Sequence, residues 1–175
     1  MSYLVLAYPT LSKPDYDWIQ AIRSKEDKRY YGVVEPHFTI VFATEKLDLD
    51  TFSRHIKTKI QGTGAFNITL DSAKLVEDDS KKFFHAFLIP SQGFDVINKL
   101  HDVLYTGILS SELRHDIPFI PHVGLGTNND RSEIERLVGD INDGNKIITG
   151  RINELYIVEY DGKKVVDLER LTLGD

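Results

Sequence analysis

Cysteine is missing from all 175 residues. That absence removes disulfides, thiolate zinc sites and a cysteine nucleophile together. It fits a reducing compartment, and a cytoplasmic location is the expectation. Positive charge is not in excess either: 21 Lys and Arg stand against 27 Asp and Glu, for a formal net charge of −6. A protein that coats nucleic acid without regard to sequence carries a basic surplus, so broad polyanion binding is excluded as the main role. A site for one phosphate stays open, because it needs only a few donors. Long apolar runs are lacking as well, and none approaches the roughly 20 residues of a membrane helix. The opening Met1-Ser2-Tyr3-Leu4-Val5-Leu6-Ala7-Tyr8-Pro9 has neither the basic start nor the apolar length of a signal peptide. A soluble monomer with no membrane partner is expected.

Several familiar signatures of chemistry are absent too. No Gly-x-Ser-x-Gly elbow marks a serine hydrolase, and no His-x-x-His or His-x-x-x-His spacing marks a metal site. Gly62-Thr63-Gly64 and Gly124-Leu125-Gly126 lack the remainder of either phosphate-loop fingerprint.

What is present is ordinary globular composition, 41% hydrophobic and 27% charged, in a length that suits one domain or two small lobes sharing a core. Apolar or β-branched runs predict strands over 3–8, 36–42, 66–77, 82–89 and 119–126. Helical spacing of apolar residues predicts helices over 13–25, 50–60, 94–105 and 131–141. Asp78-Asp79-Ser80 reads as a turn, and 154–160 with 164–168 as a closing hairpin about Asp161-Gly162. Strands follow both helices and strands, which argues for an α+β architecture over a parallel doubly wound sheet. Two of the strands open on Pro-His, at Pro36-His37 and Pro121-His122, and each follows a predicted helix. Their histidines stand 85 positions apart, about half the chain (122 − 37). Two similar lobes, each presenting one such strand to a shared cleft, would account for the spacing.

Alternation places His37, Thr39 and Val41 on one face of the first strand, with Phe38, Ile40 and Phe42 on the core side. In the other strand His122, Gly124 and Gly126 share a face opposed by Val123 and Leu125. Two imidazoles across a cleft suit phosphodiester chemistry, one taking a proton while the other gives one to the leaving oxygen. A hydroxyl beside an imidazole can hold a phosphoryl oxygen as charge develops there. Such a scheme requires no metal and no cofactor.

At these residues the chain resembles the 2H phosphoesterases, which include the RNA 2′,3′-cyclic phosphodiesterases also called 2′-5′ RNA ligases. Their hallmark is a pair of His-x-Thr/Ser motifs followed by an apolar position, on strands of a two-lobed α+β fold. Pro36-His37-Phe38-Thr39-Ile40 matches in full. In Pro118-Phe119-Ile120-Pro121-His122-Val123-Gly124-Leu125 the proline and histidine match, but glycine replaces the hydroxyl residue. The resemblance implies one bilobal domain over 1–175, with pseudo-duplicated antiparallel sheets, flanking helices and a central cleft. It implies handling of a 2′,3′-cyclic phosphate or 2′-5′ phosphodiester on a nucleotide or RNA end, with RNA ligation as a further activity. His37 and His122 would be acid and base, their order set by reaction direction, and Thr39 a phosphate ligand.

Losing one hydrogen bond to a charged oxygen costs about 1.5–3 kcal/mol, or roughly 10- to 100-fold in rate. At Gly124, backbone N–H groups of Gly124-Leu125-Gly126, helped by Thr127, are expected to stand in for the missing hydroxyl. The rival readings are a nucleotide-binding module that keeps the cleft without turnover, and a structural domain with two incidental histidines. Among the other histidines, His55 and His101 are expected at the surface or half-buried, His85 as a satisfied strand histidine, and His115 in a loop where Arg114 could reach a phosphate. Most aromatics are assigned to the core, with Tyr30 and Tyr31 as candidates to stack a base.

Overall fold

Three helices begin where a short polar side chain closes the first turn. Ser12 accepts from the Asp15 amide to start α1 (Lys13–Glu26), Asp48 from Thr51 to start α2 (Leu49–Lys59), and Asp130 from Ser132 to start α4 (Arg131–Asp143). The helix α3 (Phe94–Leu104) instead follows Gly93, whose φ of 90° puts it in the left-handed region. The computed structural model describes residues 2–78 and 82–174. Of the expected turn at Asp78-Asp79-Ser80, Asp79 and Ser80 therefore lie outside the described residues.

Among the described residues, nine strands form two antiparallel sheets. One has the order β3-β1-β8-β9, from β1 (Ser2–Ala7), β3 (Phe38–Thr44), β8 (Glu154–Tyr160) and β9 (Val165–Thr172). The other has the order β2-β7-β4-β5-β6, from β2 (Thr10–Leu11), β4 (Phe66–Glu77), β5 (Phe84–Gln92), β6 (Val123–Asn128) and β7 (Ile148–Ile152). A 3-10 turn spans Gly107–Glu112. The expected α+β architecture with two pseudo-duplicated sheets is the one observed. The chain order β1-α1-β3-α2 recurs as β5-α3-β6-α4, and each repeat pairs its two strands antiparallel.

The halves are tied by an exchange of helices. Helix α1 packs chiefly against β6 of the other half, and α3 packs against β3 as well as β5. The approach of α1 to β6 is close. A Cβ at Gly126 would stand 2.9 Å from Leu137 Cδ2, 3.0 Å from Glu26 Cβ and 3.3 Å from the Glu26 carbonyl oxygen, whereas one at Gly124 would meet nothing within 4 Å. Gly126→Ala is therefore expected to lower stability by about 1–3 kcal/mol through overpacking, and Gly124→Ala to stay within about 0.5 kcal/mol of the parent. Urea unfolding of the two variants checks the contrast, and equal midpoints would contradict it.

Four elements depart from the sequence reading. The run 119–126 becomes strand only from Val123, because Pro118 and Pro121 have no N–H to donate to a ladder. Strands β2 and β7 are too short to show a period, and only their pairing with each other and with β4 defines them. In β3 the alternation breaks. Tyr3 pairs with Thr44, Val5 with Val41 and Leu6 with Thr39, so β3 carries an extra residue in each interval. Ile40 and Val41 are consequently both buried, and Phe42, expected in the core, is turned out with 47% of its surface exposed.

Candidate active site

The strands that carry the two Pro-His pairs, β3 and β6, are edge strands of their respective sheets. Their starts face one cavity of about 760 Å³, and His37, Thr39, His122, Gly124 and Thr127 all line it. The structure thus brings together the two histidines and the three residues expected to hold the phosphate.

Both histidines are seated by the same device. His37 Nδ1 lies 2.7 Å from the Glu35 carbonyl oxygen, and His122 Nδ1 lies 2.6 Å from that of Ile120. A carbonyl only accepts, so each Nδ1 carries the proton and each neutral ring keeps its Nε2 lone pair for chemistry. Desolvation pushes both imidazoles down to about 4; His37 is lowered further by Arg23, and His122 by His37 and His85. Both rings are therefore neutral near pH 7 in the free protein. That state suits a general base, and an anion arriving between the rings would favour proton uptake by one of them.

The loops behind the histidines are held differently. The guanidinium of Arg23, 2% exposed on α1, donates to the carbonyls of Val34 at 2.8 Å and Tyr30 at 3.3 Å. The Glu35 side chain accepts from Gln20 Nε2 at 3.0 Å and from the Tyr16 hydroxyl. On the other side the support is aromatic. Phe119 stacks on His101, with centroids 3.7 Å apart and planes within 2°. The ring of His101 donates from Nδ1 to the Ile40 carbonyl at 2.8 Å. His101 is only 2% exposed, not at the surface or half-buried as its helix pattern suggested, because α3 crosses to β3 of the other half. His55 is half-buried as expected, with Nε2 on the Leu104 carbonyl at 2.9 Å.

A bulge decides what stands beside His122. Phe87 pairs with Gly124 and His85 with Thr127, so β6 carries an extra residue between these pairs. Phe87 and His85 share a face of β5, and the extra residue puts Thr127 on that face with Gly124. The Phe87 ring then covers His122 at 3.4 Å between centroids, with His85 stacked 5.5 Å beyond it. His85 Nδ1 lies 3.0 Å from the Thr127 hydroxyl, and both residues line the cavity.

Sequence reasoning did not place His85 and Phe87 at the site. Their period-2 spacing was visible, but only cross-strand register shows which residues they face. Of the aromatics, Tyr30 lines this cavity while Tyr31 does not. Arg114 also lines it, with its guanidinium on Asp116 at 2.7 and 2.9 Å. Among the described residues no group of three His, Cys, Asp or Glu side chains is placed to hold a metal ion, and no helix is long and apolar enough to cross a membrane.

Comparison with solved structures places this architecture among known ones. TT0787 of Thermus thermophilus superposes with a TM-score of 0.65 at 15% identity, over 100% of both chains. Escherichia coli LigT complexed with 3′-AMP gives 0.61 at 16% identity, over 99% of this chain and 98% of that one. Kluyveromyces marxianus Usb1 with uridine monophosphate gives 0.58 at 10% identity, over 98% of each. At such identities the likeness is one of fold. No curated protein matches in sequence. The model of the 2′-5′ RNA ligase superfamily, however, matches residues 11–164, a span that holds both histidine strands and the helices exchanged between them. The chain belongs to that superfamily, the 2H phosphoesterases.

Proposed function

We propose that residues 1–175 form one bilobal phosphodiesterase domain that opens a 2′,3′-cyclic phosphate or a 2′-5′ phosphodiester on a nucleotide or RNA end, without a metal. The observation that carries the reading is the matched pair of imidazoles in one cavity, each with Nδ1–H bound to a carbonyl and Nε2 left for chemistry. In hydrolysis of a cyclic phosphate, one Nε2 takes the proton of the attacking water as its oxygen bonds to phosphorus. The other Nε2–H protonates the ribose oxygen as the P–O bond breaks, leaving a monoester. Thr39 holds a phosphoryl oxygen from the β3 side, and Thr127 with the Gly124 backbone does so from the β6 side.

The cavity wall carries Asp27, Glu77, Asp78 and Glu112 against Arg23 and Arg114. That balance, with the net charge of −6, favours a small nucleotide or an RNA end over a long strand. A cytoplasmic, monomeric protein completes the proposal.

The test is turnover of 2′,3′-cyclic nucleotides and of a short RNA ending in a cyclic phosphate, with EDTA present. Turnover that survives EDTA supports the reading, and loss in EDTA overturns its metal-free part. Nucleotide binding without turnover would select the second reading, a binding module, which the missing hydroxyl at position 124 specifically favours. The open space at Gly124 allows a direct probe. Gly124→Thr is expected to leave kcat/KM within about tenfold, since Thr127 and the backbone already serve. A larger gain would show that the phosphate lacks a ligand on this side.

A further inference from the structure

Beyond the loop that delivers His37 lies a second cavity, of about 580 Å³. Val33, Val34, Pro36 and Val165 line both cavities, so a single layer of chain separates them. Its wall carries four tyrosines, Tyr8, Tyr16, Tyr31 and Tyr156, and two carboxylates, Glu35 and Asp167; among the described residues no Lys, Arg or His lines it. The proposed reaction uses none of this space.

The polar ends of three of these rings are already engaged. Tyr8 donates to Asp167 at 3.2 Å, Tyr16 to Glu35, and Tyr156 to Glu154 at 2.9 Å. Tyr8 meets Tyr156 edge-on, with centroids 4.9 Å apart, and Tyr31 is 43% exposed. With their hydroxyls engaged, Tyr8, Tyr16 and Tyr156 offer a ligand mainly ring surface, whose π-faces are electron-rich. Burial of the ring first, then Asp167, Glu35 and Tyr156, push the Tyr8 phenol well above its ordinary range, as neighbouring negative charge would. The neighbouring cations are committed elsewhere. Arg170 is ion-paired with Glu154, and Arg23 holds Gln20, Tyr30 and Val34.

Aromatic faces and carboxylates without a balancing cation repel a phosphate and attract positive charge. Leu11, Pro9 and Val165 supply apolar wall, which favours a cation clothed in methyl or methylene groups over a bare ion. We infer that this tyrosine-lined cavity binds a small organic cation, an alkylated ammonium of about the size of choline. The inference stands apart from the phosphodiesterase reading, because none of its residues carries a step of that reaction.

The probe is choline, titrated calorimetrically against the intact protein beside 3,3-dimethyl-1-butanol, which has the same shape without the charge, and beside cytidine. Saturable choline binding is expected, at least ~10-fold tighter than the neutral alcohol. Tyr31→Leu, which keeps apolar bulk but removes the ring, and Asp167→Asn, which keeps shape but removes charge, should each weaken choline binding by at least ~10-fold. Both side chains are exposed, and a thermal melt run alongside verifies folding. His122→Ala, at a residue that touches none of this wall, should bind choline like the parent, which separates this site from the catalytic one. Equal binding of the alcohol would make the cavity a simple apolar slot. Cytidine binding without choline binding would make it a base site. Absence of saturable choline binding, or binding that both wall variants leave intact, would likewise overturn the inference.

Discussion

Alanine at His37 or at His122 is expected to lower turnover of a 2′,3′-cyclic nucleotide at least ~100-fold and by as much as ~10⁴-fold, the range of a lost general acid or base. The two losses should be similar, because each imidazole is oriented by the same Nδ1–H to carbonyl bond and handles one of two required protons. The double variant should be little worse than either single one, since groups that act in one step do not contribute additively. Nucleotide binding should persist in both, as Thr39, Thr127 and the cavity walls remain. Steady-state kinetics with a binding titration on each variant decides the matter. Retention of turnover by either alanine variant would break the pairing of roles. An unequal loss, with one histidine costing only a few-fold, would reassign that ring to phosphate binding.

The second large effect is on pH dependence. With both imidazoles pushed down to about 4, the free protein carries the required single imidazolium less and less as pH rises. From about pH 5 to 7, kcat/KM is expected to fall close to tenfold per unit, because it reports the free protein. A bound phosphate's negative charge favours the imidazolium, so the falling limb of kcat should lie at higher pH than that of kcat/KM. Stability moves the other way. Between the ordinary histidine value of 6.5 and about 4 the unfolded chain binds protons that the folded one refuses. Unfolding is therefore favoured as pH falls through that window, and stability is regained as pH rises through it. Proton NMR of the ring hydrogens gives the midpoints directly. A midpoint near 6.5 for either ring in the ligand-free protein would contradict the burial argument and both pH effects.

Much of the architecture was legible before the fold was seen. The four helices were readable from the spacing of their apolar residues, although in α3 Val96, part of that spacing, is exposed and Ile97 is buried in its place. The hairpin about Asp161-Gly162 was readable from turn chemistry, and His37 with Thr39 from strand alternation. Where the reading failed, a partner far along the chain intervened. Phe42 is turned out because β1 imposes two irregularities on β3, and His101 is buried because a helix of one half packs on a strand of the other.

By itself the sequence determined the α+β class, most of the elements and the two Pro-His strands, because caps, turns and apolar periods act over a few residues and need no distant partner. The tertiary structure alone decided that Thr127 joins Gly124 beside His122, that Phe87 covers that ring, that Gly126 must be small where α1 crosses, and that four tyrosines close a second cavity. Those outcomes depend on cross-strand register and on packing between residues tens of positions apart, which no local pattern encodes.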